Sequence, residues 1–145
     1  MRKILLWAIV MMVSLTFLGC DVATTSPNGD EETTQAQANT DVDQLKSLLI
    51  AEGYGLDERD AESVEYYNSH AVNDTYSIDV TVLEVYLGYV NQVERWAELI
   101  GFESVTDAQT FTSAIDSQDT SGMLYYRLGT AVVITYSQDT IDALS

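Results

Sequence analysis

The sequence is poor in the residues from which many active sites are built. Its 145 residues include one cysteine, one histidine and one proline. A single cysteine excludes an intramolecular disulfide, and the lone His70 has neither a cysteine partner nor an HExxH-type neighbour to suggest zinc. We therefore interpret His70 as an exposed loop or helix-end residue. No Gly-x-Ser-x-Gly elbow, P-loop or dinucleotide-binding loop is present, so we predict no catalytic residue, no bound metal and no cofactor.

Basic residues are also scarce. Six lysines and arginines stand against 23 aspartates and glutamates, which gives a formal net charge of −17. A chain of this charge repels phosphate backbones and anionic lipid headgroups, so we predict no nucleic-acid partner. A cationic peptide, an amine or a divalent cation is an easier partner. Solubility is the simpler explanation of the charge, and the sequence leaves both open.

The N-terminus holds the longest apolar run. Arg2 and Lys3 precede residues 4–18, which are apolar except for Ser14 and Thr16. A run of about 15 residues is shorter than the roughly 20 that a membrane-spanning helix requires, and it suits the apolar region of a signal peptide. The positive charges precede this run, as they do in signal peptides.

The apolar run ends in Phe17-Leu18-Gly19-Cys20, which resembles the lipobox of bacterial lipoproteins. The resemblance implies that the sulfur of Cys20 is joined to a diacylglycerol and that a peptidase cuts after Gly19. The lone cysteine agrees with this, because an exported protein needs a reason to keep a free thiol. We expect a signal peptide at 1–19 and a protein anchored by its lipid to the cell membrane, facing the extracytoplasmic side. An ordinary secretory signal and an uncleaved membrane helix are the alternatives.

Two regions follow the predicted cleavage site. Removal of residues 1–19 takes away Arg2 and Lys3, which leaves 126 residues with a formal charge of −19. Residues 20–40 are acidic and rich in Thr, Gln and Ala, with too few apolar side chains to form a core, so we predict a disordered tether. Residues 41–145 are long enough for a single small domain.

The domain begins with a predicted helix at 41–52. Thr40 is the expected N-cap, Gly53 the expected left-handed residue after the last turn, and Asp41 lies on the expected outer face. The expected buried stripe consists of Val42, Leu45, Leu48 and Leu49. Residues 56–72 fit a short helix or a strand equally well, and we favour the helix.

Residues 76–103 support two interpretations. Apolar and aromatic residues recur at spacings of three and four from Val82 to Ile100, as in one long helix at 79–101. Strict alternation over residues 77–82, the density of β-branched and aromatic residues, and the cost of Gly88 in mid-helix favour strands instead. We predict two antiparallel strands, 77–89 and 94–103, joined near Asn91.

The last third of the chain is predicted as a helix at 105–117 capped by Ser104, a β-hairpin at 123–136 turning at Gly129-Thr130, and a helix from about 138 capped by Ser137. The predicted fold is therefore α+β, a four-stranded antiparallel sheet with helices packed mainly on one face. The alternative is a mostly helical domain with the long helix at 79–101.

Two groups of side chains are candidates for binding. Acidic residues cluster at 57–65. They form either a solvated face, which we favour because an EF-hand loop pattern is absent, or a calcium site. Aromatic residues could line a sheet face or fill the core. The acidic group is Asp57, Glu58, Asp60, Glu62 and Glu65, and the aromatic group is Tyr66, Tyr67, Tyr86, Tyr89, Trp96, Tyr125 and Tyr126. We expect a non-enzymatic binding domain for a cationic peptide or a surface protein. The alternative is a small secreted hydrolase that uses acidic residues.

Overall fold

The structure, a computed structural model, describes residues 30–91, 95–118, 120 and 122–145, without the side chains of residues 30–38. In chain order the elements are α1 (Asp30–Ala51), β1 (Gly55–Glu58), α2 (Ala61–Tyr66), a π-helical segment (Tyr67–Asp74), β2 (Val82–Val90), β3 (Arg95–Phe102), α3 (Val105–Ser117), β4 (Leu124–Leu128), β5 (Ala131–Thr135) and α4 (Gln138–Leu144). The predicted cleavage and lipidation sites at Gly19 and Cys20 lie outside the described residues.

The strands form one antiparallel sheet in the order β1-β2-β3-β5-β4. The predicted α+β class is confirmed, with five strands rather than four. The alternative long helix at 79–101 is wrong, because β2 and β3 pair through most of that range. Gly88 belongs in the strand for a steric reason, since a Cβ there would lie 2.9 Å from Leu56 Cδ2 and 3.1 Å from Tyr54 Cδ1.

Helices cover both faces of the sheet, which corrects the prediction that they lie mainly on one. We call the two faces the α1 face and the α3 face. On the α1 face, α1 and α4 pack on a core of alternating strand residues that includes Leu45, Leu99 and Val133. On the α3 face, α2, the π-helical segment and α3 pack on the intervening residues, such as Ile100 and Val132. Because side chains alternate along a strand, an apolar strand buried on both faces supplies two cores.

The first helix starts much earlier than predicted. It begins at Asp30, so Thr40 lies inside α1 and is not its N-cap, and residues 30–40 of the predicted tether are helical. The rest of that tether lies outside the described residues. The glutamines and alanines of this stretch have a high intrinsic preference for the helix. The end is as predicted, since Gly53 has φ +86° and Tyr54 N donates to Leu49 O at 3.0 Å.

Asp41 is buried rather than on an outer face. Its side chain is 5% exposed, and its Oδ2 accepts hydrogen bonds from the backbone N of Thr130 at 3.0 Å and from Thr130 Oγ1 at 3.1 Å. The β4–β5 turn therefore docks on α1. The turn itself follows the prediction, because Gly129 has φ +53°, and Leu128 pairs with Ala131.

Residues 55–74 contain both a strand and helices, where the sequence favoured one short helix. β1 pairs with β2 at the sheet edge, and Asp60 caps α2 by accepting from Ser63 N at 2.9 Å. The π-helical segment explains why β2 starts at Val82 rather than at residue 77. The amide side chain of Asn73 is hydrogen-bonded to the backbone N and O of Val80, and that of Asn68 to the backbone N and O of Val82. These backbone groups are therefore not available for pairing with another strand at the start of β2.

The predicted helix at 105–117 is confirmed with both bounds, and Ser104 Oγ accepts from Asp107 N at 3.1 Å. The predicted last helix is confirmed as α4, where Ser137 Oγ accepts from Thr140 N at 3.3 Å. These two caps follow from local sequence alone, which is why they were predictable.

Candidate aromatic binding site

Three aromatic side chains lie side by side across the end of the α3 face. Tyr89 of β2 pairs with Trp96 of β3, and the β3–β5 register continues from Ala97–Thr135 to bring Tyr136 beside Trp96. The ring centroids of Trp96 and Tyr136 are 5.8 Å apart at an interplanar angle of 31°. We call Tyr89, Trp96 and Tyr136 the aromatic row.

The aromatic row is open to solvent. Tyr136 is 60% exposed and Tyr89 is 38% exposed, while Trp96 is half-buried. The helices of this face pack over the other end of the sheet, where Phe111 of α3 lies on Phe102 at a centroid distance of 5.2 Å. The row is therefore the end of the α3 face that α3 leaves accessible.

Tyr76 borders the row on its inner side. Its ring packs edge-on against Phe111 at 5.3 Å, and its pKa is raised by burial and, to a lesser degree, by the nearby phenol of Tyr136. Tyr76 therefore lies between the closed part of the α3 face and the row. Its ring is half-buried and extends the aromatic surface, although Tyr76 itself does not belong to a strand of the sheet.

A buried carboxyl group lies next to the row. Glu98 follows Trp96 by two positions on β3, so both side chains point to the α3 face. Its side chain is 6% exposed, and its Oε1 accepts a hydrogen bond from the Tyr67 hydroxyl of the π-helical segment. Burial raises the pKa of Glu98 to about 7, against a weaker opposing effect of the Arg59 charge.

A shallow cleft of about 470 Å³ lies on the outer side of Tyr67. Its lining residues are Arg59, Asp60, Glu62, Ser63, Tyr66 and Tyr67. The Nε of Arg59 is buried without a hydrogen-bond partner, and Arg59 Nη1 lies 3.9 Å from Asp57 Oδ2. The cleft reaches Tyr67 but is not lined by Glu98, so Tyr67 separates the two.

On the α1 face, two basic side chains of the protein make cation–π contacts with tyrosine rings. Lys46 Nζ lies 4.3 Å from the ring centroid of Tyr86, and Arg95 Cζ lies 5.7 Å from that of Tyr54. The described residues make no cation–π contact besides these two, so no lysine or arginine among them lies over a ring of the aromatic row. The exposed rings of the row are therefore available to a cation from outside.

The acidic residues predicted as a candidate cluster do not form a metal site. In the part of the chain that the structure describes, no three His, Cys, Asp or Glu side chains are placed to hold a metal ion. Asp60 instead caps α2, which lowers its pKa through hydrogen bonds from Ser63.

His70 is exposed, as predicted, but it lies within the π-helical segment rather than in a loop or at a helix end. It stacks on Tyr66 with 5.2 Å between the ring centroids and 9° between the rings. Its Nδ1 lies 2.6 Å from Ser69 Oγ. Both contacts are with residues close to His70 in sequence, and neither partner is a carboxylate that could complete a catalytic triad with it.

The other predicted aromatic residues divide between the faces. Tyr86 is buried on the α1 face, where its hydroxyl donates to Glu84 Oε2 at 2.7 Å and its pKa is raised by burial and by that bond. Tyr126 packs on the α1 core, and Tyr125 on the α3 core, where its hydroxyl donates to Asp116 Oδ2 at 2.8 Å. Among the predicted aromatics, Tyr89 and Trp96 alone belong to the row.

Sequence reasoning missed Tyr136 and Glu98. Tyr136 was the last residue of the predicted hairpin at 123–136, and its alternation with Val132 and Ile134 was a usable signal for their face, but it was not among the aromatic candidates. Glu98 carried a usable signal, because it is the one charged residue in the apolar run 96–102 of β3. A charge in a strand buried on both faces is either paired or functional.

No helix among the described residues is both long and apolar enough to cross a bilayer. Comparison of the chain with protein-family models, with curated proteins and with solved structures finds no match.

Proposed function

We propose that this chain is a lipoprotein anchored to the membrane through Cys20, and that its α+β domain is a non-enzymatic binding module for a cationic partner outside the cytoplasm. The anchoring rests on the charged start, the apolar run and the lipobox-like residues 17–20. The binding role rests on the aromatic row, in which the half-buried Trp96 lies between the exposed rings of Tyr89 and Tyr136.

The charge of the domain supports a cation as the group that binds. After residues 1–19 the chain carries four basic residues against 23 acidic ones. Lys46 and Arg95 lie over rings of the α1 face, and Arg59 lies near Asp57. An incoming lysine or arginine side chain gains a cation–π contact at the row and a favourable long-range field.

The alternative, a secreted hydrolase, has one supporting observation. Glu98 has a raised pKa, as a general acid requires. However, Glu98 does not line the cleft, and Asp60 on the cleft wall is engaged as the cap of α2. Hydrolysis of a peptide or glycoside probe that disappears in Glu98→Gln would replace the binding proposal with this one.

The anchor is tested by metabolic labelling. Cells that express the chain are grown with an alkyne fatty acid, and the wild type is compared with Cys20→Ala. We expect label on the wild type alone. Label on both proteins, or on neither, would refute lipidation at Cys20.

The binding site is tested with two tyrosine variants of matched exposure. Tyr136 of the row is 60% exposed, and Tyr66 of the cleft is 58% exposed. We expect Tyr136→Ala to bind hexalysine about fivefold more weakly than the wild type, because one cation–π contact is lost, and Tyr66→Ala to bind normally. Binding should fade toward about 0.5 M salt, where charges are screened within a few ångströms. Loss of binding in Tyr66→Ala instead would move the site to the cleft.

A further inference from the structure

We propose that Glu98 is the specificity-determining residue of the aromatic row, and that its carboxylate selects a lysine or arginine side chain of the partner over a neutral group. This inference rests on the proposed binding function, since it names the residue that makes the row prefer a cation.

The sheet register places Glu98 beside the row. Glu98 pairs with Leu87 on one side and Ile134 on the other, one step along the α3 face from Tyr89, Trp96 and Tyr136. Two positions along a strand separate Trp96 and Glu98 by about 6.6 Å. A cation held on the Trp96 ring would therefore lie within electrostatic range of the carboxylate, whose charge is screened less than a surface charge because Glu98 itself is buried.

A similar arrangement on the α1 face already contains its cation. There the hydroxyl of Tyr86 donates to Glu84 and accepts from Lys46 Nζ at 3.2 Å, so glutamate, phenol and ammonium form one chain of contacts. On the α3 face, Tyr67 donates to Glu98. No lysine or arginine of the described residues lies within 4.0 Å of the Glu98 carboxylate or over the Tyr67 ring.

None of the charged or titratable groups described around Glu98 is a cation in direct contact with its carboxylate. Arg59, after β1, acts on it from a distance and lies near Asp57, while the two neighbouring strand positions are apolar. The other titratable groups near it on this face are phenols and one carboxylate, and none of them is a cation near neutral pH. They are Tyr67 of the π-helical segment, Tyr76 just after it, Tyr89 of β2, Tyr136 after β5, and Tyr125 of β4, which is hydrogen-bonded to Asp116 of α3. A lysine or arginine of a partner would supply the positive counter-charge that the described residues do not place beside Glu98.

Proton and cation then compete for Glu98. A protonated carboxyl attracts no cation, so affinity should increase with pH through the range in which Glu98 ionises. Because burial places the pKa of Glu98 at about 7, that range lies near neutrality. Lysine side chains keep their charge throughout it, so the change in affinity reports on the protein.

The experiment uses the mature lipoprotein in a non-ionic detergent, with hexalysine and its fully acetylated form as probes. The sequence contains Trp7 and Trp96, so after removal of residues 1–19 the fluorescence of Trp96 reports directly on the row. We expect hexalysine to bind about tenfold more tightly at pH 8.5 than at pH 5.5, and the acetylated form to bind weakly at both. Glu98→Gln should bind hexalysine about tenfold more weakly at pH 8.5 and show no pH dependence.

Glu84→Gln is the matched control, because it removes the same charge from a tyrosine-bonded glutamate on the opposite face. It should retain both the affinity and the pH dependence of the wild type. Tyr67→Phe is a second test that keeps the ring and removes the hydroxyl bonded to Glu98; it should move the pH midpoint upward, because that bond favours the ionised carboxylate.

The outcomes separate this inference from the binding function. If Tyr136→Ala weakens binding but Glu98→Gln keeps wild-type affinity and pH dependence, the role of Glu98 is refuted and the aromatic row stands. If the wild type does not bind hexalysine at either pH, both proposals are refuted. If Glu98→Gln does not fold, an unchanged midpoint in Tyr67→Phe refutes the role of Glu98.

Discussion

The two faces of the sheet are built from the same strands but are completed differently. The α1 face is closed by α1 and α4, and its aromatic rings Tyr54 and Tyr86 carry cations of the protein itself. The α3 face is closed only over part of its length, and its other end carries the exposed rings of Tyr89 and Tyr136 on either side of the half-buried Trp96.

This difference separates residues that hold the fold from residues that are available for binding. A ring that is packed beneath a helix and capped by a cation contributes to stability. A ring that is exposed beside two others contributes little to stability, so a stability requirement does not explain its presence. Three experiments test this contrast.

The largest effect is expected from a core truncation on the α1 face. Leu45 is fully buried, so Leu45→Ala should lower the free energy of unfolding by about 3–5 kcal/mol. Tyr136→Ala on the open end of the α3 face should lower it by less than about 0.5 kcal/mol. Urea unfolding followed by circular dichroism measures both. Similar losses in the two variants would mean that the aromatic row is part of the core.

A smaller, pH-dependent effect is expected at Glu98. Its carboxyl has a pKa of about 7 in the folded protein against a reference of 4.5, so the folded state binds a proton between these values that the unfolded state releases. The free energy of unfolding should therefore fall as pH rises through this window, by about 3 kcal/mol in total.

Glu98→Gln removes this dependence. Relative to the wild type, its free energy of unfolding should increase by about 3 kcal/mol between pH 4 and pH 8.5, because the glutamine never ionises. Glu84→Gln serves as the comparison on the other face, and urea unfolding at both pH values is the measurement. A Glu98→Gln difference that is the same at both pH values would show that Glu98 is not protonated in the fold near neutrality.

The smallest effect is expected from Lys46. Lys46→Met keeps the length of the side chain but removes the ammonium group from Tyr86 and from Asp43, which lies 3.6 Å away. We expect a loss of about 1 kcal/mol in the free energy of unfolding, since these contacts are partly exposed. The comparison with Lys46→Arg, which keeps the charge, isolates the electrostatic part. If Lys46→Met is as stable as the wild type, then the internal cation is not what completes the α1 face.

Local elements could be predicted where a short stretch of sequence contains its own signal. Ser104 and Ser137 cap α3 and α4, and Gly129 forms the β4–β5 turn, because each acts on residues within a few positions of itself. Contacts between distant residues could not be predicted in the same way. The burial of Asp41 depends on Thr130, 89 positions later, and the start of β2 depends on the amides of Asn68 and Asn73.

The candidate site divides in the same way. Tyr89 and Trp96 were among the aromatic residues that the sequence singled out, but nothing in their spacing relates them to Tyr136. That relation arises only when β5 inserts between β3 and β4. Glu98 could be recognised as a charge within an apolar strand, whereas its bond to Tyr67 required the π-helical segment to fold over the sheet.

By itself, the sequence determined the excess of negative charge, the strand character of residues 82–90 and 95–102 and the bounds of α3, because these depend on composition and on neighbours along the chain. Tertiary structure decided which face each strand residue meets, how α1, α4, α3 and the π-helical segment share those faces, and which rings stay exposed. The physical reason is that a strand has two faces at every position, and only the elements packed on each face decide whether a side chain is in a core or at a surface.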